Sequence, residues 1–599
     1  MKKMKPFFLT TFALSCVLSL QAQNSVKRDS IINRELMLEK EYTPTIHDAA
    51  KLNQLPELRE PQAPKSQVEF SNYTVPYNVQ SALTPLGPHA YLGQMNYSKY
   101  RGYLTAGLSS LIDFDGDVGY QILNTDKDWL NVFFSHRSSG CNVSYLQDVS
   151  FLGETGKQRF KINDNWGGLN FMHDFEWIKF LADVKYTGSS FNYYGLSIPR
   201  YTDPVDQPNN YFDKNTNQND GLLEAHVGVV SENIDEINYK INAGYTSFTQ
   251  KYGNQLFDKG GKESRFLIGG DVNAKITPTI GIGLSGLITT YSYSDKTFKL
   301  LNDSTTNYWT YSLNPYLNWE NGNMNLTLGV KMDVELGGRG KIMLSPAIRF
   351  DYHQDYQWMF YLLAEGGRKD NSQYNLFYEN RYVDPLIRVM DSRSPLDLTA
   401  GVKFTPVPAF TIDLFGGYKI TQDEHFFYSN IGNKIILDDN LPMLSGNWIT
   451  PVYEDANTFK AGADLKYAFQ NSFELGIKGT YYHWAISGDK YTADATLHEA
   501  WNKPDFELNL NAAYRIPEIP LRFDLSYIGA YGRKATDPSL SRLFSMNDVN
   551  DLSLKGTYSF TPWFSIYLSL NNLLFSKYDL CWGYPVQDFN IMGGLSILF

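Results

Sequence analysis

The feature that most constrains this chain is a series of long segments in which apolar and polar residues alternate, from about residue 103 to the C-terminus. A period of two places alternate side chains on opposite faces of a β-strand. In the last segment Ile591, Leu595 and Phe599 share one face, and Asn590 and Ser596 share the other. Soluble strands average about 5–6 residues, whereas a tilted strand needs about 9–11 to cross a bilayer. Most segments reach the longer figure, which favours strands that cross a membrane.

The segments number about 22, and the links between them alternate in length. Short turns such as 277–279 and 561–562 follow the even-numbered segments, whereas most long links, such as 195–219 and 424–457, follow the odd-numbered ones. Short periplasmic turns and long outer loops characterise outer-membrane barrels with both termini in the periplasm. The pattern therefore predicts an all-β fold, a transmembrane antiparallel up-and-down barrel over 102–599 with lipid on its outer face.

The N-terminal hundred residues carry different signals. Three lysines, an apolar stretch ending at Leu20 and the small residue Ala22 predict a cleaved secretory signal peptide over 1–22. Residues 23–101 contain prolines at positions 44, 56, 61, 64, 76, 85 and 88. Because proline fixes the backbone and removes a donor, this segment is expected to be an extended periplasmic or lumenal leader.

Composition supports a membrane location and excludes nucleic acid. The chain has a net charge of −11, whereas affinity for nucleic acid rests on Lys and Arg. Aromatic residues make up 15% of the chain, and pairs of them flank short turns, as in Phe469 with Phe473 and Phe560 with Trp563. Such rings prefer the boundary between headgroups and hydrocarbon, so these pairs predict an aromatic girdle.

No catalytic, cofactor or metal site can be identified. The nine histidines form no zinc motif, and neither a nucleophile elbow nor a Walker loop is present. The carboxylates of 113–117 resemble a calcium loop, but the twelfth position is Asn124 instead of Glu, so a tight turn is expected. We therefore expect a protein that is not an enzyme and has no cofactor.

The candidate site residues lie in the lumen and in the loops. Charges predicted to face the lumen, where each can pair within the barrel or hold the leader, are Lys460, Asp464, Glu474, Lys478, Arg522 and Asp524. Cys141 and Cys581 fall in predicted outer loops that become neighbours when the last strand closes on the first, so a disulfide between them is a candidate. Aromatic groups at 192–194 and 481–484 are candidates for ligand stacking or for loop packing.

The strand count, the loop asymmetry and the signal peptide resemble the barrel of TonB-dependent receptors, and the style of residues 35–44 and 55–57 resembles Bacteroidetes members. The resemblance implies uptake of a nutrient across the outer membrane. It also implies partners: outer-membrane lipid, the barrel-assembly machinery, which would read the C-terminal aromatic Phe599, and a TonB-type or surface lipoprotein partner. Residues 36–42 are a candidate TonB-contacting segment. The chain departs from the family because 23–101 is too short for a full plug domain.

Two functions remain open at this stage. In the first, the barrel admits a nutrient while its leader is displaced. In the second, a sealed barrel serves as a non-transporting scaffold or subunit of an envelope complex. A lumen enclosed by about 22 strands has a backbone radius of roughly 20 Å and must be closed by something. We expect the leader, inward-folded loops and a partner to close it together.

Overall fold

The computed structural model describes residues 99–146, 156–195, 217–231, 237–253, 259–293, 307–337, 340–385, 389–429, 448–469, 472–487, 499–537 and 542–599. All of them belong to the second of two compact units, Gln62–Phe599. The predicted signal peptide and nearly all of the predicted leader, with the candidate TonB-contacting segment, lie outside the described residues. No helix in the described ranges is both long and apolar enough to cross a membrane.

Most of the described residues belong to one sheet of 22 strands. The strands of this wall are β1 (Gly102–Ser109), β2 (Phe114–Asn124), β3 (Asp128–Ser139), β6 (Ile162–Asp174), β7 (Ile178–Asn192), β8 (Asn217–Ser231), β9 (Ile237–Gln250), β10 (Lys262–Thr277), β11 (Ile280–Tyr293), β12 (Tyr308–Asn321), β13 (Met324–Leu336), β14 (Ile342–His353), β15 (Trp358–Lys369), β16 (Ser392–Val407), β17 (Phe410–Ser429), β18 (Ile449–Phe469), β19 (Phe473–Ser487), β20 (Phe506–Arg515), β21 (Leu521–Tyr531), β24 (Val549–Thr561), β25 (Phe564–Asn571) and β26 (Asn590–Leu598). Two small hairpins lie outside the wall, β4 (Asn142–Ser144) with β5 (Lys157–Arg159) and β22 (Lys534–Asp537) with β23 (Arg542–Ser545). The helix α1 spans Gln373–Glu379.

The sheet is closed. Each wall strand pairs antiparallel with its neighbours in the chain, and β1 pairs with both β2 and β26. The closing register places Tyr103 opposite Leu598 and Ser109 opposite Met592. Closure leaves the wall without an unpaired edge, which is what a sheet surrounded by lipid requires. The predicted barrel is confirmed, and every segment identified from the alternation corresponds to one wall strand.

The two faces of the wall have opposite chemistry. Val272, Leu284 and Val330 point outward and are exposed, whereas Asp333 and Glu335 on the lumen face are buried. A soluble protein has the reverse distribution. The outer face therefore needs an apolar solvent, and the lumen holds the polar groups.

The two ends of the barrel differ, and we call them the turn end and the loop end. At the turn end the links are two to five residues long, and the chain enters β1 and leaves β26 there. Aromatic rings stack around it, including Trp358 on Phe404 with centroids 4.1 Å apart and Tyr120 on Phe599 at 6.1 Å. The aromatic pairs expected from the sequence lie at this end.

At the loop end one local expectation from the sequence agrees with the structure and two do not. The link at 110–113 is a tight turn, as expected, in which the Ser109 hydroxyl donates to Asp113 at 2.5 Å and Ile112 adopts a φ of 63°. The long loop expected over 424–457 is wrong in part, because β17 and β18 remain paired from Glu424↔Glu454 to Ser429↔Ile449. Continued pairing satisfies backbone groups that a free loop would leave to water. The aromatic group at 481–484 likewise lies in β19 and not in a loop.

Candidate functional site at the loop end

Loops from different sides of the wall meet in the middle of the loop end. The Tyr193 hydroxyl, just after β7, donates to the carbonyl of Val383 at 3.2 Å, and the Tyr194 hydroxyl donates to that of Pro585 at 2.9 Å. Val383 belongs to the link between β15 and β16, and Pro585 belongs to the link between β25 and β26. These links leave the wall far apart around its circumference, so they have to extend over the lumen to touch.

The meeting point is an aromatic core, which we call the mouth cluster. Its buried members are Cys141, Val143, Phe160, Ile162, Phe191, Tyr193, Tyr194, Leu376, Tyr382, Val383, Phe427, Trp448, Ile449, Leu580, Cys581 and Tyr584. The rings of Tyr382 and Tyr584 stack with centroids 4.2 Å apart, and Tyr194 meets both edge-on. Burial raises the pKa of Tyr194 and of Tyr584 well above the ordinary value, so both stay neutral. The cluster is therefore a packed protein core set across the mouth.

The segment 370–385, which we call the strap, connects the cluster to the wall. Ser372 caps α1 by accepting from the backbone N–H of Asn375. The side-chain amide of Gln373 donates to Gln250 at 2.6 Å, and its backbone N–H donates to Glu263 at 2.7 Å. These bonds fix the start of the strap to β9 and β10.

The other end of the strap is fixed to a distant part of the wall. Arg381 donates through both terminal nitrogens to the carboxylate of Asp164 on β6, at 2.9 and 3.3 Å. Its guanidinium also lies over the ring of Phe191, 5.7 Å from the centroid. A forked pair of this kind fixes orientation as well as distance. The strap is thus held at both ends and crosses the mouth between them.

The last residue of α1, Glu379, accepts hydrogen bonds from two basic side chains outside the strap. Glu379 accepts from His425 Nε2 at 2.7 Å and from Lys503 Nζ at 3.3 Å. Burial alone would raise the pKa of Glu379, but the positive charge of Lys503 and the hydrogen bond from His425 more than offset this, and the pKa lies well below its usual range. The carboxylate is therefore ionised and joins the strap to β17 and to the link after β19.

Buried arginines beneath the strap complete the attachment. Arg265 pairs with Asp370 at 2.8 Å, and Arg393 pairs with Glu335 at 2.9 Å and lies 3.7 Å from Asp423. Removing one member of such a pair leaves an uncompensated buried charge, at a cost of about 3–5 kcal/mol. The first pair joins the strap to β10, and the contacts of Arg393 join β13, β16 and β17 to one another. Within the described ranges no group of His, Cys, Asp and Glu is arranged to hold a metal ion.

The lumen charges predicted from the sequence lie elsewhere, along the wall. Arg522 and Asp524 pair with each other at 2.7 Å. Lys460 pairs with Asp397 at 3.6 Å. Arg522 and Asp524 lie near the turn end, whereas Lys460 and Asp397 lie further along the wall, and none of the four belongs to the mouth cluster.

The remaining predicted lumen charges find other partners. Asp464 pairs with Lys466 at 3.6 Å, while Lys478 lies over the ring of Phe415, 5.8 Å from its centroid. Glu474 is exposed on the lumen side beside the turn end. The structure thus places these charges singly or in pairs, and it does not gather the predicted set into one site.

The two cysteines lie in the mouth cluster, as their predicted proximity requires, and both are free thiols. The Gln587 amide donates to Cys141 Sγ at 3.2 Å, and the Asn380 amide donates to Cys581 Sγ at 3.1 Å. Each thiol therefore has its own amide partner. The candidate disulfide is not formed here and stays a prediction.

Sequence reasoning missed the strap and most of the mouth cluster. Tyr193 and Tyr194 were among the candidate aromatics, but Tyr382, Tyr584 and Trp448 were not identified. The only local signal was the capping serine before α1, since a helix of one or two turns has no readable periodicity. Contacts between residues hundreds of positions apart leave no local pattern in one sequence.

Comparison with solved structures finds the same architecture in iron-uptake proteins. The chain resembles the FrpB iron transporter from Neisseria meningitidis with a TM-score of 0.61 and 9% identity, covering 84% of this chain and 81% of that one. It resembles the siderophore receptor PirA from Acinetobacter baumannii with a TM-score of 0.59 and 11% identity, covering 83% and 80%. For the ferric-catecholate import receptor Fiu from E. coli K12, the TM-score is 0.56 at 10% identity, covering 84% and 82%. No protein-family model and no curated protein sequence matches. At these identities the likeness establishes the barrel fold.

Proposed function

We propose that this protein is an integral outer-membrane barrel that takes part in the uptake of a nutrient. The observation that carries the proposal is a closed wall of 22 strands whose wide lumen is spanned at one end by the strap and the mouth cluster. A barrel of this size is large enough to pass a bulky solute and must be closed when idle. The solved barrels of similar fold are named as an iron transporter and as siderophore or catecholate receptors, which favours uptake over structural roles.

The proposed orientation places the loop end outside the cell and the turn end in the periplasm. It is supported by the contrast between links of two to five residues at one end and long loops at the other. In this orientation Arg101 and Phe599, which are joined by a backbone hydrogen bond of 2.8 Å, place both barrel ends in the periplasm. The leader predicted over 23–101 would then join the barrel on the periplasmic side, where a TonB-type partner would act on it.

The test is conductance of the full chain in a planar bilayer. A protease site is inserted after residue 98, so that the barrel folds before the leader is cut. The uptake proposal expects a closed protein before cutting and ion conduction afterwards in a variant whose strap is also released by Arg381→Gln and Glu379→Gln. Uncut protein of the same variant and protease-treated chain without the inserted site are the controls. If the cut, strap-released variant conducts no ions, the uptake proposal is overturned.

The packed mouth favours a second function, a sealed scaffold for an envelope complex. The rings of Tyr382 and Tyr584 are almost fully buried, and the strap is fastened to several strands, which suits a closure that does not open. This version expects no conductance under any of the conditions above and a stable partner that copurifies in mild detergent. The conductance experiment therefore separates the two functions.

A further inference from the structure

Behind the mouth cluster, on the outward side of the wall, lies a polar groove of about 340 Å³. Ile162 and Phe191, both buried, contribute to its inner side, so the groove and the cluster lie back to back. Its volume is at the lower end of the range of small-molecule sites. It therefore has room for a headgroup.

The polar part of the groove's lining is cationic. Alternation along 157–161 buries Phe160 and leaves Lys157, Arg159 and Lys161 exposed, and the last two of these cations line the groove. Among the described residues, neither Arg159 nor Lys161 has an ion-pair partner. Two exposed cations that pair with no described carboxylate favour an anion.

Besides Gly140 and the exposed side chain of Ile112, the remaining lining groups are hydroxyls and amides. Ser138, Asn163 and Ser190 are register neighbours on three adjacent strands, and Asn217 on the next strand lies two residues from the position opposite Ser190. Such groups can donate to and accept from the hydroxyls of a sugar. The backbone beneath is rigid, because Asn192 joins the carbonyl of Arg159 at 2.7 Å to the N–H of Lys161 at 2.8 Å. The row and the cations are therefore presented by a fixed strand.

The position of the groove along the strands can be compared with the end of the apolar outer surface. The last row of outward apolar residues on these strands contains Phe134 and Tyr186, which are opposite Gly167 on the strand between them. Asn163 lies four residues further along that strand, about 10 Å above this row for a strand tilted by ~40°. That is the level of lipid headgroups, and long Lys and Arg side chains reach several ångströms more.

From this arrangement we propose that the groove binds the phosphorylated sugar headgroup of an outer-leaflet lipid. The phosphate contacts Arg159 and Lys161, and the sugar lies along the row formed by Ser138, Asn163 and Ser190. The lipid chains then run down the apolar wall past Tyr186. The inference rests on the proposed orientation of the barrel, but it does not depend on conduction.

The experiment measures lipid retention by the full chain in detergent, using native mass spectrometry with lipid A as the probe. The double variant Arg159→Gln, Lys161→Gln is expected to bind about 25-fold more weakly, about fivefold for each cation. The matched control is Lys262→Gln, Lys341→Gln, which removes two exposed cations from distant strands and should leave binding unchanged. Lipid A stripped of its phosphates should bind weakly to every variant.

Equal retention by the two double variants would overturn the proposal. Radiolabelled inorganic phosphate distinguishes the source of the anion. Phosphate alone could bind with millimolar or tighter affinity and lose this binding in the Arg159→Gln, Lys161→Gln variant. That result would assign the groove to a soluble anion and overturn the proposal that it binds a lipid. Because the assay needs no bilayer and no current, a closed barrel in the conductance experiment would leave this result intact.

Discussion

The two ends of the barrel use the same aromatic residue types for opposite purposes. At the turn end Phe560 and Trp563 are 56% and 48% exposed, and at the loop end Tyr382 and Tyr584 are 2% and 0% exposed. The turn-end rings surround the barrel, where an apolar body and a polar rim both find a suitable environment. The loop-end rings fold inward and form a core. Amino-acid composition therefore does not distinguish aromatic residues that surround the barrel from those that close its mouth. The length of the links at each end does distinguish them.

The largest loss of stability is expected when an aromatic side chain of the mouth cluster is truncated. Tyr584→Ala removes a ring from a packed core and should lower the free energy of unfolding by about 3–5 kcal/mol. Trp563→Ala at the turn end removes a half-exposed ring and should cost on the order of 1 kcal/mol. Denaturant unfolding from lipid vesicles measures both. Equal losses would mean that the mouth cluster is no better packed than the girdle.

A second prediction compares ion pairs at the two ends. Arg381→Gln leaves the mostly buried carboxylate of Asp164 without its forked partner and should cost about 3 kcal/mol. Lys127→Gln breaks a 2.7 Å pair with Glu176 at the turn end, where both side chains are more than half exposed, and should leave the free energy of unfolding almost unchanged. The same unfolding assay applies, at low salt. A large loss for Lys127→Gln would contradict the view that only the loop end is held by buried charges.

A third prediction concerns the wall that separates the ends. Leu284→Arg places a charge on the outward face near the middle of β11 and should destabilise the barrel in lipid by about 2–4 kcal/mol. Ser285→Arg, one residue on, faces the lumen and should change stability little. Equal effects of the two substitutions would mean that lipid does not cover the outer face. The two ends of the barrel could then not be assigned to the two sides of a membrane.

The wall could be predicted from the sequence because the information for it is local. Residues such as Ile591 and Leu595 alternate with polar neighbours, and the period is visible within ten residues. The proximity of Cys141 and Cys581 also followed, because it depends only on the last strand closing against the first. Even the tight turn at Asp113 could be identified from a missing calcium ligand.

The closure at the loop end could not be predicted in this way. The bond from Tyr194 to Pro585 joins residues 391 positions apart, and that from Arg381 to Asp164 joins residues 217 apart. Pairings of this kind depend on where each loop leaves the wall, which is known only once the barrel is closed. The partners of the lumen charges, such as Asp397 for Lys460, could not be predicted either, because they depend on register and side-chain reach.

The smallest predicted effect is chemical and leaves stability unchanged. Burial raises the pKa of the Cys581 thiol to about 12, so at pH 8 the thiolate fraction is on the order of one in ten thousand. Asp126→Cys places a thiol at the exposed turn end, where about a quarter should be thiolate at that pH. Iodoacetamide should therefore label position 126 quickly and Cys581 only after heating in SDS, as read by peptide mass spectrometry.

Heating without reductant should release both Cys141 and Cys581 for labelling if they are free thiols, whereas a disulfide would keep both unlabelled. Rapid labelling of Cys581 in the folded protein would mean that the loop end opens freely, and the two ends would then differ in loop length alone.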